Sequence, residues 1–241
     1  MFSYQTTVRA IMMTVAMCLT VPAQAAIVID NTRVVYPGNE KSVSVNLTNK
    51  GAKPVLVQSW IDDGDLDALP EDMNVPFILT PPINRVEPDK SQVLRVAYTG
   101  NALPKDRETI FWLNVLEVPA KGENLENKNI LQMAFRTRIK LFYRPEQLAQ
   151  TAKHPANKLT WNKSATGLVI ENPSPFYISL TGIELKTKDG ENKSLEADMI
   201  APFSKVTIAV DDKQQLAETN SLTFNFINDF GGAQYVDKKI N

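Results

Sequence analysis

From residue 26 onward the apolar positions recur mostly every second residue, the spacing of half-buried β-strands rather than helices. Val43, Val45 and Leu47 alternate with Ser44 and Asn46. Ile27-Val28-Ile29 and Val34-Val35-Tyr36 flank a short polar insert. Val55-Leu56-Val57, Phe77-Ile78-Leu79, Val93 to Tyr98 and Ile110 to Val118 follow. Turn chemistry separates them at Pro37-Gly38, Asn49-Lys50-Gly51, Asp63-Gly64-Asp65, Pro81-Pro82 and Thr99-Gly100-Asn101. About seven short strands so spaced predict an immunoglobulin-like sandwich. After a polar stretch at 146–157 a second all-β series begins. It runs through Lys158 to Trp161, Gly167 to Glu171, Phe176 to Leu185, Val206 to Val210, Leu222 to Ile227 and Ala233 to Val236. The chain of 241 residues accommodates two such sandwiches, expected at 26–145 and 146–241.

Residues 1–25 have a different character. Arg9 is the only charge before Asp30, an apolar run follows from Ala10 to Val21, and Ala23-Gln24-Ala25 offers small residues where a signal peptidase cuts. The run is too short for a comfortable membrane span. A cleaved signal peptide over 1–25 is expected, leaving a mature chain that does not insert into a membrane. Cys18 leaves with it, so the exported chain folds without disulfides. Net charge is −1, which provides no bulk attraction for nucleic acid. One His, His154, and no mature Cys exclude Cys₂His₂ or Cys₄ zinc sites. Neither a phosphate-binding glycine loop nor Gly-x-Ser-x-Gly is present, so no cofactor and no enzyme activity are expected.

Residues 129–144 fit a self-contained domain least well. Leu131, Met133, Phe135, Thr137, Ile139, Leu141 and Tyr143 form one row, while the other row is mostly polar. A strand of this length spans roughly 50 Å at about 3.3 Å per residue, several times the usual five or six residues. Part of it is expected to overhang, with Leu131, Met133 and Phe135 exposed on one face unless a partner covers them. Two strands split by a bulge near Arg136-Thr137-Arg138, both covered within the domain, account for the same pattern.

Arg138-Ile139-Lys140-Leu141-Phe142-Tyr143-Arg144-Pro145 resembles the strand signature of the periplasmic pilus-assembly chaperones, the PapD-like family. Thr32-Arg33-Val34-Val35-Tyr36 resembles the family's first strand, and Leu103 to Trp112 (Leu-Pro-Lys-Asp-Arg-Glu-Thr-Ile-Phe-Trp) its central signature. Asn172-Pro173-Ser174-Pro175-Phe176-Tyr177 and Ile227-Asn228-Asp229-Phe230-Gly231 resemble motifs of its second domain. The resemblance implies a boomerang of two immunoglobulin-like domains in the periplasm. Such a protein lends an edge strand to incomplete pilus subunits and delivers them to an outer-membrane usher, by the strand addition established for chaperone–pilin complexes. It implies that Leu131, Met133 and Phe135 enter the subunit groove and that Arg33 and Lys140 hold the subunit's C-terminal carboxylate. Glu108, Arg144 and Asp229 would form an interdomain charge cluster. The short connection Pro119–Lys128 matches the short-loop branch, which points to rod-like, tip-bearing pili.

Two other features have ordinary readings. Trp60, Trp112 and Trp161 are expected in the cores rather than as sugar platforms. Asp62-Asp63-Gly64-Asp65-Leu66-Asp67 looks like a calcium-loop fragment but lacks the closing Glu, so a solvated acidic turn is expected. An exported pilus subunit or adhesin is the competing reading, against which stand two domains and the missing cysteine pair.

Overall fold

The computed structural model describes residues 26–67, 69–100, 102–120, 131–149, 154–186 and 192–240. The expected signal peptide and most of the Pro119–Lys128 connection lie outside them.

The first sandwich begins with a strand that changes sheets. β1 (Ile27–Ile29) pairs with β3 (Val43–Asn49), and after the polar Asp30-Asn31-Thr32 the chain continues as β2 (Arg33–Pro37) in the opposite sheet. One sheet has the order β1-β3-β7-β5, with β7 at Ser91–Tyr98 and β5 at Phe77–Thr80. The other is β2-β9-β8-β4-β6, with β4 at Val55–Asp62, β6 at Ile83–Val86, β8 at Thr109–Pro119 and β9 at Phe135–Arg144. These nine strands among the described residues are the seven runs read from the pattern, the long alternating segment as β9, and β6, which the turn at Pro81-Pro82 separates from β5. Between the sheets lie the inward residues of each strand, including Val45, Leu47, Val57, Leu94, Leu113 and Leu141, all fully buried. Tyr36 is also fully buried. Its hydroxyl donates to the Glu40 carbonyl and accepts from the Tyr98 N–H, each at 3.0 Å, so its one polar atom is satisfied.

In the second sandwich β10 (Thr160–Ser164), β11 (Gly167–Asn172) and β15 (Ser204–Ala209) form one sheet. The other orders β13 (Asn192–Leu195), β12 (Ile178–Lys186), β16 (Ser221–Ile227) and β17 (Ala233–Lys239), with β14 (Met199–Ile200) also pairing β12. Trp161 and Phe224 meet at 5.0 Å in its core. The short helix α1 (Lys213–Glu218) has no periodic signature in the sequence and contributes Leu216 to that core.

Two expectations change here. Trp161 is a core residue, but Trp60 and Trp112 lie outside the buried cluster. They occupy even positions on β4 and β8, whose odd neighbours Ile61, Phe111 and Leu113 face the core, so the pleat places them on the sheet's other face. The long strand also starts later than its alternation suggests. β9 begins at Phe135, which pairs with Glu117 near the end of β8, and Leu131 and Met133 precede it in irregular chain. Without a partner for its backbone groups the alternating segment does not form a ladder there. Within β9 the register against β8 is unbroken from Phe135 to Tyr143, so no bulge interrupts it at Arg136-Thr137-Arg138.

Candidate functional site

β9 is paired on both sides only along its second half. β8 covers it from Phe135 to Tyr143, whereas β2, running parallel, covers Lys140 to Arg144. Among the described residues no strand pairs with Phe135–Ile139 on the β2 side. That stretch is an open sheet edge of about 16 Å at the usual strand rise. Phe135 is 60% exposed, Met133 55% and Leu131 82%, a dense apolar patch at the edge's outer end.

The inner end of the open edge is cationic. β2 starts at Arg33, and its first ladder partner is Lys140. Residues remote in sequence therefore become direct neighbours through parallel pairing. Arg33 reaches the second domain, where its Nη1 donates to the Ile227 carbonyl at 3.1 Å and to Ser179 Oγ at 3.4 Å. Its Nε is buried without a hydrogen-bond partner. Burial lowers the affinity of Lys140 for its proton, and Arg33 adds to this while Asp198 across the cleft opposes it. Arg33 is likewise lowered by burial, partly offset by Asp229. Two half-buried cations side by side form a site whose electrostatic deficit an anion relieves.

Glu108, Arg144 and Asp229 meet where the two sandwiches touch. Arg144 Nε donates to Glu108 Oε1 at 2.7 Å, and its Nη1 and Nη2 donate to the two oxygens of Asp229 at 2.8 and 3.0 Å. The second oxygen of Glu108 accepts the Tyr177 N–H at 2.8 Å, and the Glu108 N–H donates to the Pro175 carbonyl at 2.9 Å. Burial raises the Glu108 pKa despite the attraction of Arg144. The turn carrying Pro175 and Tyr177 is built by Asn172. Its side-chain nitrogen donates to the Phe176 and Ala201 carbonyls, and its oxygen accepts from the Ser174 N–H and hydroxyl. A cavity of about 270 Å³ lies beside this junction, lined by Arg33, Glu108, Phe142, Tyr177 and Asp229 among others.

Sequence reasoning did not single out Ser179, Tyr177 or the Ile227 carbonyl. Two of these act through backbone groups, which carry no residue-type signal. It also missed Arg107, whose guanidinium lies 5.0 Å from the Phe203 ring of the other domain. The acidic turn is exposed from Asp63 to Asp67, as expected, but departs from that expectation at its first residue. Asp62 is buried, not solvated, because Arg138, Asn114 and the Gly64 N–H surround it. Among the described residues no cluster of three or more His, Cys, Asp or Glu is arranged to hold a metal.

Two family models match the chain. "Pili and flagellar-assembly chaperone, PapD N-terminal domain" covers residues 26–149, and "Pili assembly chaperone PapD, C-terminal domain" covers 154–237. The chain belongs to the PapD family of pilus-assembly chaperones. Among curated relatives of this family member, the probable fimbrial chaperone YadV of Escherichia coli K12 is 44% identical over 87% of both chains. The chaperone protein FimB/FhaD of Bordetella pertussis is 40% identical over 87% of this chain and 86% of its own. The solved CupB2 chaperone of Pseudomonas aeruginosa superposes with a TM-score of 0.75 at 39% identity, covering 89% of this chain and all of that one. A Salmonella enterica structure described as SafA pilin in complex with the SafB chaperone matches with a TM-score of 0.74 at 26% identity, over 91% and 98% of the two chains. The family is one of chaperones, not of enzymes, and its two-domain all-β architecture is the one expected from the hydrophobic pattern.

Proposed function

We propose that this chain works in the periplasm, after removal of residues 1–25, as a chaperone that captures incomplete pilus subunits and passes them to an outer-membrane usher. The observation that carries this reading is the half-open edge of β9, apolar at one end and closed at the other by Arg33 and Lys140. A subunit strand laid along Phe135–Ile139 in the direction of β2 runs into Arg33 and ends there. Its C-terminal carboxylate then lies between two cations already drawn out of water, where charge-assisted hydrogen bonds are strong. Main-chain pairing contributes affinity with little dependence on sequence. Leu131, Met133 and Phe135 enter the subunit's groove, each burial contributing roughly 1.5–3 kcal/mol. The anchored carboxylate sets the register, since a slip of one residue would turn these side chains away. Glu108, Arg144 and Asp229 hold the domains at the angle that keeps Arg33 against Ile227 and Ser179. The names of the relatives and the SafB–SafA complex support a subunit as the occupant.

Co-expression with pilus subunits encoded nearby tests the reading. A stable one-to-one periplasmic complex is expected with the wild type and not with Arg33→Ala or Lys140→Ala, both of which remain folded. Amidating the C-terminus of a subunit-derived peptide is expected to weaken its binding to the wild type more than to either variant. Equal weakening in all three proteins would remove the carboxylate role.

A further inference from the structure

β9 is held by one neighbour, not two, along the stretch proposed to receive a subunit. Such an edge is free to twist and fray. On the outer face of the sheet, however, the even side chains of this stretch are tied down. Arg138 Nε donates to Asp62 Oδ2 at 3.0 Å, and its Nη2 forms a second bond to Oδ1 of the same carboxylate. Its guanidinium lies 4.5 Å from the centre of the Trp112 ring. Asp62 is held in place from its other sides by Asn114 Nδ2 at 2.6 Å and the Gly64 N–H at 2.8 Å. Two residues along, Arg136 lies 6.0 Å from the Trp60 ring and donates to the Leu66 carbonyl at 3.1 Å, in the loop that Asp62 begins. The register shows how far the grip extends. Arg138 on β9 stands opposite Asn114 on β8, which stands opposite Trp60 on β4. The tie thus crosses three strands.

We propose that Asp62 is a positioning residue for strand addition: through Arg138 it keeps the half-paired stretch Phe135–Ile139 in line with the sheet before a partner arrives. The inference rests on the chaperone reading above and deepens it. With the even side chains pinned to the outer face, the strand cannot rotate about its axis. Phe135 and Thr137 are therefore held on the opposite face, and the free backbone groups stay aligned in the plane of the sheet. A buried ion pair is a poor source of stability compared with apolar packing, but it selects one geometry. The bidentate fork requires a guanidinium, which at the same time lies over the Trp112 ring, so Lys does not substitute for Arg138. Ordering the edge in advance removes part of the entropic cost of adding a strand to it.

The test uses the mature chain carrying Asp62→Asn, which keeps the shape of the side chain, and Arg138→Lys, which keeps the charge. Residue-resolved hydrogen exchange and binding of a synthetic peptide copying a pilus subunit's last strand, with free or amidated C-terminus, are measured for each. Both variants are expected to speed exchange at residues 135–139 about tenfold relative to 140–144, and to weaken the peptide about five- to tenfold with either C-terminus. The ratio of free to amidated peptide affinity stays at the wild-type value, because Arg33 and Lys140 are untouched. Unchanged exchange at 135–139 would overturn the proposal. So would a fall in melting temperature with unchanged peptide affinity, which would make Asp62 a structural residue only. If the wild type itself does not bind the peptide, the chaperone reading fails, and the exchange rates still decide whether Asp62 orders the strand.

Discussion

Replacing Arg144 by Ala removes the cation that bridges Glu108 and Asp229, and the two carboxylates respond differently. Asp229 has a side chain 47% exposed and is solvated once released, so its share of the loss is about 0–1 kcal/mol. Glu108 is 2% exposed and retains only the Tyr177 N–H as a partner for its charge. Leaving a buried carboxylate unpaired costs about 3–5 kcal/mol. The penalty has a ceiling, because Glu108 can take up a proton, which at pH 7 costs about 3.7 kcal/mol from an ordinary Glu value near 4.3. A loss of about 3–4 kcal/mol is therefore expected at pH 7, falling to about 1–1.5 kcal/mol at pH 5, where protonation costs about 1 kcal/mol. Urea unfolding of the wild type, Arg144→Ala and the double variant Glu108→Gln/Arg144→Ala at both pH values reads this directly. The double variant should recover most of the loss at pH 7, since a neutral amide needs no counter-ion. If the domains part and re-solvate Glu108, the same free energy appears as a larger radius of gyration in X-ray scattering. A loss that does not change with pH, with no domain opening, would refute the argument that an uncompensated Glu108 is its source.

Three further outcomes follow from the same geometry. Met133→Glu should leave the free protein's melting temperature within about 1 °C of wild type, because the side chain is 55% exposed, while subunit capture is lost; unfolding of that variant would place the residue in a core. Burial raises the Glu108 pKa above its unfolded value, so ionising this group opposes folding: stability attributable to it is greatest below the ordinary Glu range and declines as pH rises through the raised value. Glu108→Gln should flatten that part of the pH–stability curve, and an unaltered curve would contradict the shift. Gly231 has φ +82 and sits against the Thr32 hydroxyl, so Gly231→Ala should both strain the turn and push the second domain from the start of β2, weakening subunit capture with little change in the circular dichroism of either sandwich.

The sequence alone determined the fold class, because period-two alternation and turn residues are local consequences of strand geometry. Val43, Val45 and Leu47 point inward in any sandwich that contains them. The surplus of apolar residues from Leu131 to Phe135 was equally visible as a row with nothing local to cover it. Where the strand begins was not visible. That depends on where β8 offers a partner, and Leu131 and Met133 alternate as regularly as Ile139 and Leu141. The resemblance brought Arg33, Lys140, Glu108, Arg144 and Asp229 into view, but only parallel pairing made the first two neighbours, and only domain contact joined the other three. Trp60, Trp112 and Asp62 show the limit most clearly. An aromatic strand residue reads as core and an acidic turn residue as solvated, yet both judgements depend on what lies across the sheet. In this protein that is a pair of arginines two residues apart on β9, whose guanidinium groups lie over the rings, and of which Arg138 also pairs with the buried Asp62.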